Sequence, residues 1–199
     1  MHWLTKVCSL LMLVITFGFL QGCSKMELIG GRYYKQGNKI IYAENGDNRL
    51  SYFFKGHKGV VEGADVDSFV YLGLSYAKDM SHVYFKDGTI SVADRDSFEI
   101  IGEYFAKDKN HIFRGGRFLK GVDVKTFQRL GEYDDDETGL KNYSIYYSRD
   151  KNHVFYQDTI LIGADPDTFK SWERKGQDKL HEFWHGYMRD ENGELIHND

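Results

Sequence analysis

Hydrophobic and polar positions recur along this chain with a period of 29 residues, the separation of Asp79 from Asp108 and of Phe98 from Phe127. One copy, residues 76–102, reads YAKDMSHVYFKDGTISVADRDSFEIIG. Similar copies lie at about 43–73, 105–131 and 147–176, a degenerate copy lies at 178–190, and residues 132–146 form an insert. Units of this length cannot bury their apolar face alone, so the period predicts units that stack on their neighbours.

Within each unit, the pattern predicts a pair of short strands followed by a short helix. Residues 82–85 are apolar and aromatic, as in a strand, and Asp87-Gly88 is a typical hairpin turn. An aspartate then stands where a helix N-cap belongs, and a phenylalanine follows it by four residues. The aspartates are Asp65, Asp94, Asp123 and Asp165, and the phenylalanines are Phe69, Phe98, Phe127 and Phe169. The predicted fold is mainly β, with tandem 29-residue repeats of an antiparallel hairpin or meander plus a short helix, stacked as one repeat domain.

The amino terminus has the features of an export signal. Lys6 precedes an uncharged apolar run, residues 7–20, which is shorter than a membrane-spanning helix. Residues 20–23, Leu-Gln-Gly-Cys, resemble the lipobox of bacterial lipoproteins. The resemblance implies that residues 1–22 are removed as a signal peptide and that Cys23 carries the lipid that anchors the protein to a membrane. An ordinary secretory signal or a signal anchor, with Cys23 incidental, is the alternative.

The residue after Cys23 bears on the location of the anchored protein. Ser24 stands where, in Gram-negative lipoproteins, an aspartate is associated with retention at the inner membrane. By analogy, the periplasmic face of the outer membrane is the expected location if the source is Gram-negative. Residues 23–42 would comprise the lipidated end, a tether and a first hairpin, 43–190 the repeat domain, and 191–199 a C-terminal tail.

Composition narrows the classes of function. Without residues 1–22, the chain has 25 basic and 30 acidic residues, a mildly acidic balance that argues against a dedicated nucleic-acid binder. Its only cysteine is then Cys23, so the folded part has neither a disulfide nor a reactive thiol. Stability is expected from packing, because the whole chain contains 14 Tyr, 14 Phe and 3 Trp, which bury large areas.

The repeated segments resemble a known family. DKNHI at 108–112 and DKNHV at 150–154, each followed by aromatic residues and then by an aspartate and a phenylalanine, look like the DKNYY repeats of bacterial proteins. The resemblance covers roughly residues 43–190. It implies an exported or lipid-anchored bacterial repeat protein, and it implies no enzymatic activity. The chain departs from the family pattern by placing a histidine at the first tyrosine position.

The histidines at that position are His82, His111 and His153. Stacked repeats could align them as a surface stripe that binds a metal ion or an anion. The alternative, which we favour, is that each histidine replaces a tyrosine at a strand edge and keeps its packing role.

A second candidate site is the sequence His181-Glu182-Phe183-Trp184-His185, which matches the HExxH motif of zinc hydrolases. That motif needs a helix, so that both histidines share one face and bind zinc while the glutamate acts as a general base. The segment instead aligns with the repeat DKNHVFYQD of residues 150–158, which predicts a strand. On a strand, residues four apart are separated by about 13 Å, too far for one zinc ion.

The insert contains the acidic run 134–137, Asp-Asp-Asp-Glu. Calcium sites use such oxygens, but they need six or more ligands in a fixed geometry, so a solvated loop is the favoured interpretation. The insert is also the one break in the period, and repeat proteins often carry binding functions on such insertions.

The sequence therefore favours a membrane-anchored, extracytoplasmic lipoprotein of non-enzymatic binding or scaffold type. It is expected to have no catalytic residues, no metal and no cofactor, and to bind a protein partner at the cell envelope. An immunity-type lipoprotein that neutralises a toxin is one version of this hypothesis. A structural or assembly component of the envelope is the alternative, and a zinc hydrolase is disfavoured.

Overall fold

The computed structural model describes residues 25–44, 58–134, 141–143, 146–172, 174–190 and 192–196. Every regular element in these ranges is a β-strand. The strands form five antiparallel sheets of four or five strands and one separate two-stranded hairpin. Among the same residues, no helix is long and apolar enough to cross a membrane.

Each sheet is a meander in which strands that follow one another along the repeat lie side by side. Sheet 1 comprises β1 (Met26–Gly30), β2 (Tyr33–Gln36), β3 (Lys39–Ala43) and β4 (Lys58–Val60). Sheet 2 comprises β5 (Val70–Gly73), β6 (Tyr76–Lys78), β7 (Val83–Phe85) and β8 (Gly88–Thr89). Sheet 3 comprises β9 (Glu99–Gly102), β10 (Phe105–Lys107), β11 (Ile112–Arg114) and β12 (Arg117–Phe118).

The last two sheets differ from this pattern by one addition each. Sheet 4 comprises β13 (Gln128–Arg129), β16 (Tyr147–Arg149), β17 (Val154–Tyr156) and β18 (Thr159–Ile160). The insert contributes β14 (Glu132–Asp134) and β15 (Lys141–Tyr143), which pair with each other. Sheet 5 comprises β19 (Lys170–Trp172), β20 (Lys175–Gln177), β21 (Glu182–Trp184), β22 (Tyr187–Arg189) and β23 (Leu195–Ile196).

The register of the two central strands is the same in all five sheets. In sheet 2 the first residue of β6, Tyr76, lies opposite the last residue of β7, Phe85. The corresponding pairs are Tyr33 with Tyr42, Phe105 with Arg114, Tyr147 with Tyr156, and Lys175 with Trp184. Because side chains alternate between the two faces of a strand, corresponding residues of different sheets point to corresponding faces.

A buried cluster joins each sheet to the next one along the chain. Between sheets 2 and 3, Tyr76, Val83 and Phe98 pack with Ala106 and Phe113. The ring centroids are 5.4 Å apart for Tyr76 and Phe98, and 5.5 Å apart for Phe98 and Phe113. Equivalent clusters lie between sheets 1 and 2, 3 and 4, and 4 and 5. The repeated phenylalanines thus belong to a core shared between neighbouring sheets.

The second strand of each later sheet provides a small residue for the incoming phenylalanine. These residues are Ala77, Ala106, Ser148 and Gly176, and all four are buried. At Gly176 even a Cβ atom would collide with the ring of Phe169. Close approach of the two sheets therefore requires a small side chain at this position.

The predicted short helices are wrong. The segments that follow Asp65, Asp94, Asp123 and Asp165 are single turns. The capping chemistry is present, since Asp65 Oδ1 accepts hydrogen bonds from the backbone N–H of Asp67 and Ser68 at 2.9 and 3.2 Å. However, β5 begins directly after Phe69, so there is no room for further turns, and one isolated turn does not form the cooperative ladder of a helix.

Candidate functional site

Each of sheets 2 to 5 contains one buried aspartate, the first residue of its Asp-Lys-Asn segment or equivalent. In sheet 3, Asp108 Oδ1 accepts hydrogen bonds from the backbone N–H of Asn110 at 2.7 Å and of His111 at 2.6 Å. Its Oδ2 accepts a third from the N–H of Asp94, which begins the preceding turn, at 2.7 Å. Asp79, Asp150 and Asp178 make the same three bonds. We call this arrangement the aspartate clamp.

The clamp keeps its carboxylate ionised although the carboxylate is buried. Burial alone would raise the pKa of Asp108, but hydrogen bonds from Asp94, Asn110 and His111 together hold that pKa below its ordinary value. The pKa values of Asp79 and Asp178 are lowered in the same way. The lowered pKa means that the hydrogen bonds stabilise the ionised carboxylate more than desolvation destabilises it, as in other carboxylates that accept several backbone N–H groups.

The residue after the clamp aspartate forms an exposed ion pair with the aspartate that begins the preceding turn. Lys109 forms an ion pair of 2.6 Å with Asp94, which lowers the pKa of Asp94 to about 2, chiefly through the side-chain hydrogen bond from Lys109. Lys151 and Lys179 pair with Asp123 and Asp165 in the same way, both at 2.9 Å. In sheet 2 a methionine, Met80, replaces this lysine. The Asp-Lys-Asn segments thus form hydrogen bonds and ion pairs within the fold.

The three candidate histidines lie beside the clamps. The distance from the histidine Nδ1 to the clamp Oδ1 is 4.0 Å for His82, 3.2 Å for His111 and 3.7 Å for His153. Each ring also contacts the aromatic residue two positions later, as His111 contacts Phe113 at 5.8 Å between centroids. Within the described ranges, no group of three or more His, Cys, Asp or Glu residues is placed to hold a metal ion. Binding by this histidine set stays a hypothesis, which a zinc titration by calorimetry tests.

The HExxH segment does not form the helix that a zinc hydrolase uses. His181 precedes β21 and lies 3.4 Å from the clamp residue Asp178, between its Nδ1 and Oδ1. Glu182 is on β21 itself, and His185 lies in the following turn with a positive φ of 52°. His181 is thus the counterpart of the three other clamp histidines.

Two sequence candidates lie wholly or partly outside the described residues. Cys23 and the predicted signal peptide belong to residues 1–24, and three members of the acidic run belong to residues 135–140. The first member, Asp134, ends β14, so the insert begins as one strand of a hairpin. Lipidation of Cys23 therefore stays a prediction.

The outer face of sheet 5 is a site that the sequence analysis did not identify. Phe183 and Gly176 point toward sheet 4, so residues alternating with them point away from it. We call this surface the end face; it comprises Trp172, Lys175, Gln177, Glu182, Trp184 and Arg189. These residues line an open groove of about 320 Å³.

The end face has an aromatic row and a polar row, which follow from the strand register. Trp172 lies opposite Lys175, which lies opposite Trp184, so these three residues form one row across β19, β20 and β21. In the next row, Gln177 lies opposite Glu182. The Lys175 Nζ is 5.1 Å, and the Arg189 Cζ is 5.9 Å, from the centroid of the Trp184 ring. Both cations therefore lie over the Trp184 ring at cation–π distance.

Corresponding positions of the other sheets are apolar and buried. Lys175 replaces Tyr33, Tyr76, Phe105 and Tyr147; Glu182 replaces Ile40, Val83, Ile112 and Val154; Arg189 replaces Val61, Ile90, Leu119 and Leu161. Aligning the repeats column by column would have revealed this change in the last unit. Sheet 5 is the last sheet that the structure describes, and a polar outer face suits a repeat unit that no further unit covers.

These features define a β-repeat protein whose units are fastened by aspartate clamps. The model of the DKNYY family matches residues 33–193, well over half of the chain, and the chain belongs to that family. Neither the curated proteins nor the solved structures compared with the chain include a match.

Proposed function

We propose that this protein is a lipid-anchored, extracytoplasmic binding or scaffold protein without enzymatic activity. The observation that carries the proposal is the contrast between the clamps and the end face. The clamp aspartates of sheets 2 to 5 hold the fold together, whereas sheet 5 presents two tryptophans on an outer surface, with Trp172 47% exposed. A scaffold that ends in an aromatic surface is suited to binding.

The units are proposed to stack as one continuous repeat domain. The buried clusters between successive sheets support this arrangement, because each cluster takes side chains from two neighbouring units. In such a domain, each unit is stabilised by its neighbours. The end face then lies at the end of the domain remote from Cys23 in sequence.

Membrane attachment through Cys23 is tested by metabolic labelling with an alkyne-bearing palmitate, followed by fractionation of the cell envelope. The native protein should carry the label and sediment with membranes. A Cys23→Ser variant should lose the label and leave the membrane fraction. A labelled Cys23→Ser variant would refute the proposed site of lipidation.

A protein partner at the envelope, with an immunity-type lipoprotein as one version, is part of the proposal. Deletion of the gene should then make cells sensitive to a toxin of neighbouring strains. Unchanged competition with those strains would count against the immunity version. A structural role in the envelope is the alternative, and it predicts co-purification with peptidoglycan or with an outer-membrane complex.

A further inference from the structure

The end face contains every tryptophan that follows residue 22, namely Trp172 and Trp184. A terminal unit needs a polar outer surface, and Lys175, Glu182 and Arg189 supply one. That requirement does not account for the tryptophans, since a large indole at an outer surface works against solubility. The two tryptophans therefore indicate that the end face is a binding surface.

The two indoles are arranged as a platform for a linear ligand. Trp172 and Trp184 lie in one row, separated by the strand β20, so their Cα atoms are about 10 Å apart, twice the spacing of neighbouring strands. A sugar ring has a flat apolar face of C–H groups that can cover an indole ring. Successive sugars of a chain could thus stack on the two indoles.

The polar row contains side chains that can form hydrogen bonds with the hydroxyl groups of a sugar chain. Hydroxyl groups require hydrogen-bond partners once they leave water, and Gln177 and Glu182 stand side by side next to the aromatic row. A groove lined by aromatic rings with a few polar groups is the usual form of a small-molecule or oligomer site.

Charge favours an acidic sugar over a neutral one. The end face has two cations, Lys175 and Arg189, against one carboxylate, Glu182. Lys170, opposite Gln177, adds a third positive charge to the polar row. Arginine and lysine bind carboxylates through charge-assisted hydrogen bonds. We propose that the end face binds a linear polysaccharide that carries carboxylate groups, with its sugar rings on Trp172 and Trp184.

This inference rests on the proposed binding function, for which it names the ligand class. A protein partner would then use another surface of the chain. Failure of the two proposals can be told apart, since membrane attachment and toxin protection are measured in cells, whereas sugar binding is measured with the purified protein.

The test is a calorimetric and fluorescence titration of the full-length protein in detergent. The probes are a hexamer of β-1,4-linked mannuronate, which is acidic, and cellohexaose, a neutral hexamer of β-1,4-linked glucose. Binding of the mannuronate hexamer should change the tryptophan fluorescence and should be at least tenfold tighter than binding of cellohexaose. The Trp184→Ala and Arg189→Gln variants should each weaken it at least tenfold.

The matched control is Leu180→Ala, in the clamp turn of the same sheet, where the side chain is 73% exposed. This variant should bind like the native protein. Circular dichroism identifies any variant that fails to fold. If Trp184→Ala fails to fold, Arg189→Gln provides a second test of binding. Absence of binding at millimolar hexamer, equal affinity for cellohexaose, or a self-association that Trp184→Ala abolishes would overturn the inference.

Discussion

The junction between sheets 2 and 3 and the end face of sheet 5 are built on the same strand register but differ in their side chains. At the junction, Tyr76 and Val83 are fully buried against the next sheet. At the same positions of the end face, Lys175 and Glu182 are exposed. The same strand register thus carries a buried face at one sheet and an exposed face at the other, and a few side chains account for the difference.

The largest expected effect comes from removing a ring at a junction. Phe98→Ala should destabilise the protein by about 3–5 kcal/mol, because it leaves a cavity in the core between sheets 2 and 3. Trp184→Ala, on the end face, should cost less than about 1.5 kcal/mol, since none of the sheets that the structure describes covers that ring. Chemical denaturation with circular dichroism measures both values. Equal losses would mean that the two surfaces are not as different as their burial indicates.

Removing a clamp should have the next largest effect. Asp108→Ala leaves three backbone N–H groups without their acceptor in a buried place, so we expect a loss of about 2–4 kcal/mol. Asp190 provides the control, because its Oδ1 accepts two backbone hydrogen bonds in an exposed turn. Asp190→Ala should cost about 1 kcal/mol or less. A loss of similar size in both variants would show that burial adds nothing to the clamp.

Acid should weaken the clamps, because their carboxylates accept hydrogen bonds most strongly in the ionised form. The pKa values of Asp79, Asp108 and Asp178 in the folded state lie below the ordinary value of 3.8. Their contribution to stability is therefore complete above that value and is lost as the pH falls through the lower folded-state pKa. Thermal unfolding between pH 6 and pH 2 should show a falling melting temperature below about pH 4. Asp108→Asn should flatten that dependence, and an unchanged slope would contradict the assignment.

The exposed ion pairs should matter least. Lys109→Met reproduces the natural Met80 and should change the melting temperature only slightly, because the lysine side chain is 61% exposed. The reverse change, Met80→Lys, should raise the melting temperature by a similar small amount by pairing with Asp65. Thermal melts in low and high salt measure both, since salt screens such pairs. A salt-independent loss in Lys109→Met would point to packing instead of charge.

The sequence allowed prediction of the period and of the strands, because aromatic runs such as 82–85 and the turn Asp87-Gly88 act locally. The prediction of helices was wrong, because an aspartate at the start of a helix and an aspartate at the start of a single turn look the same in the sequence. Burial of Asp108 could not be foreseen, because its third donor comes from Asp94, 14 residues away. The end face was within reach of the sequence, but only by comparing Lys175 with its counterparts in other units.

The most direct test of the account is to convert the end face into a junction. The triple variant Lys175→Tyr, Glu182→Val, Arg189→Leu restores the apolar residues that the other sheets have at these positions. Sedimentation velocity in the same detergent should show that the native protein stays monomeric while the folded triple variant associates with itself. A folded triple variant that remains monomeric at the same concentration would contradict the claim that these side chains, and not the backbone, keep the end face from packing against another sheet.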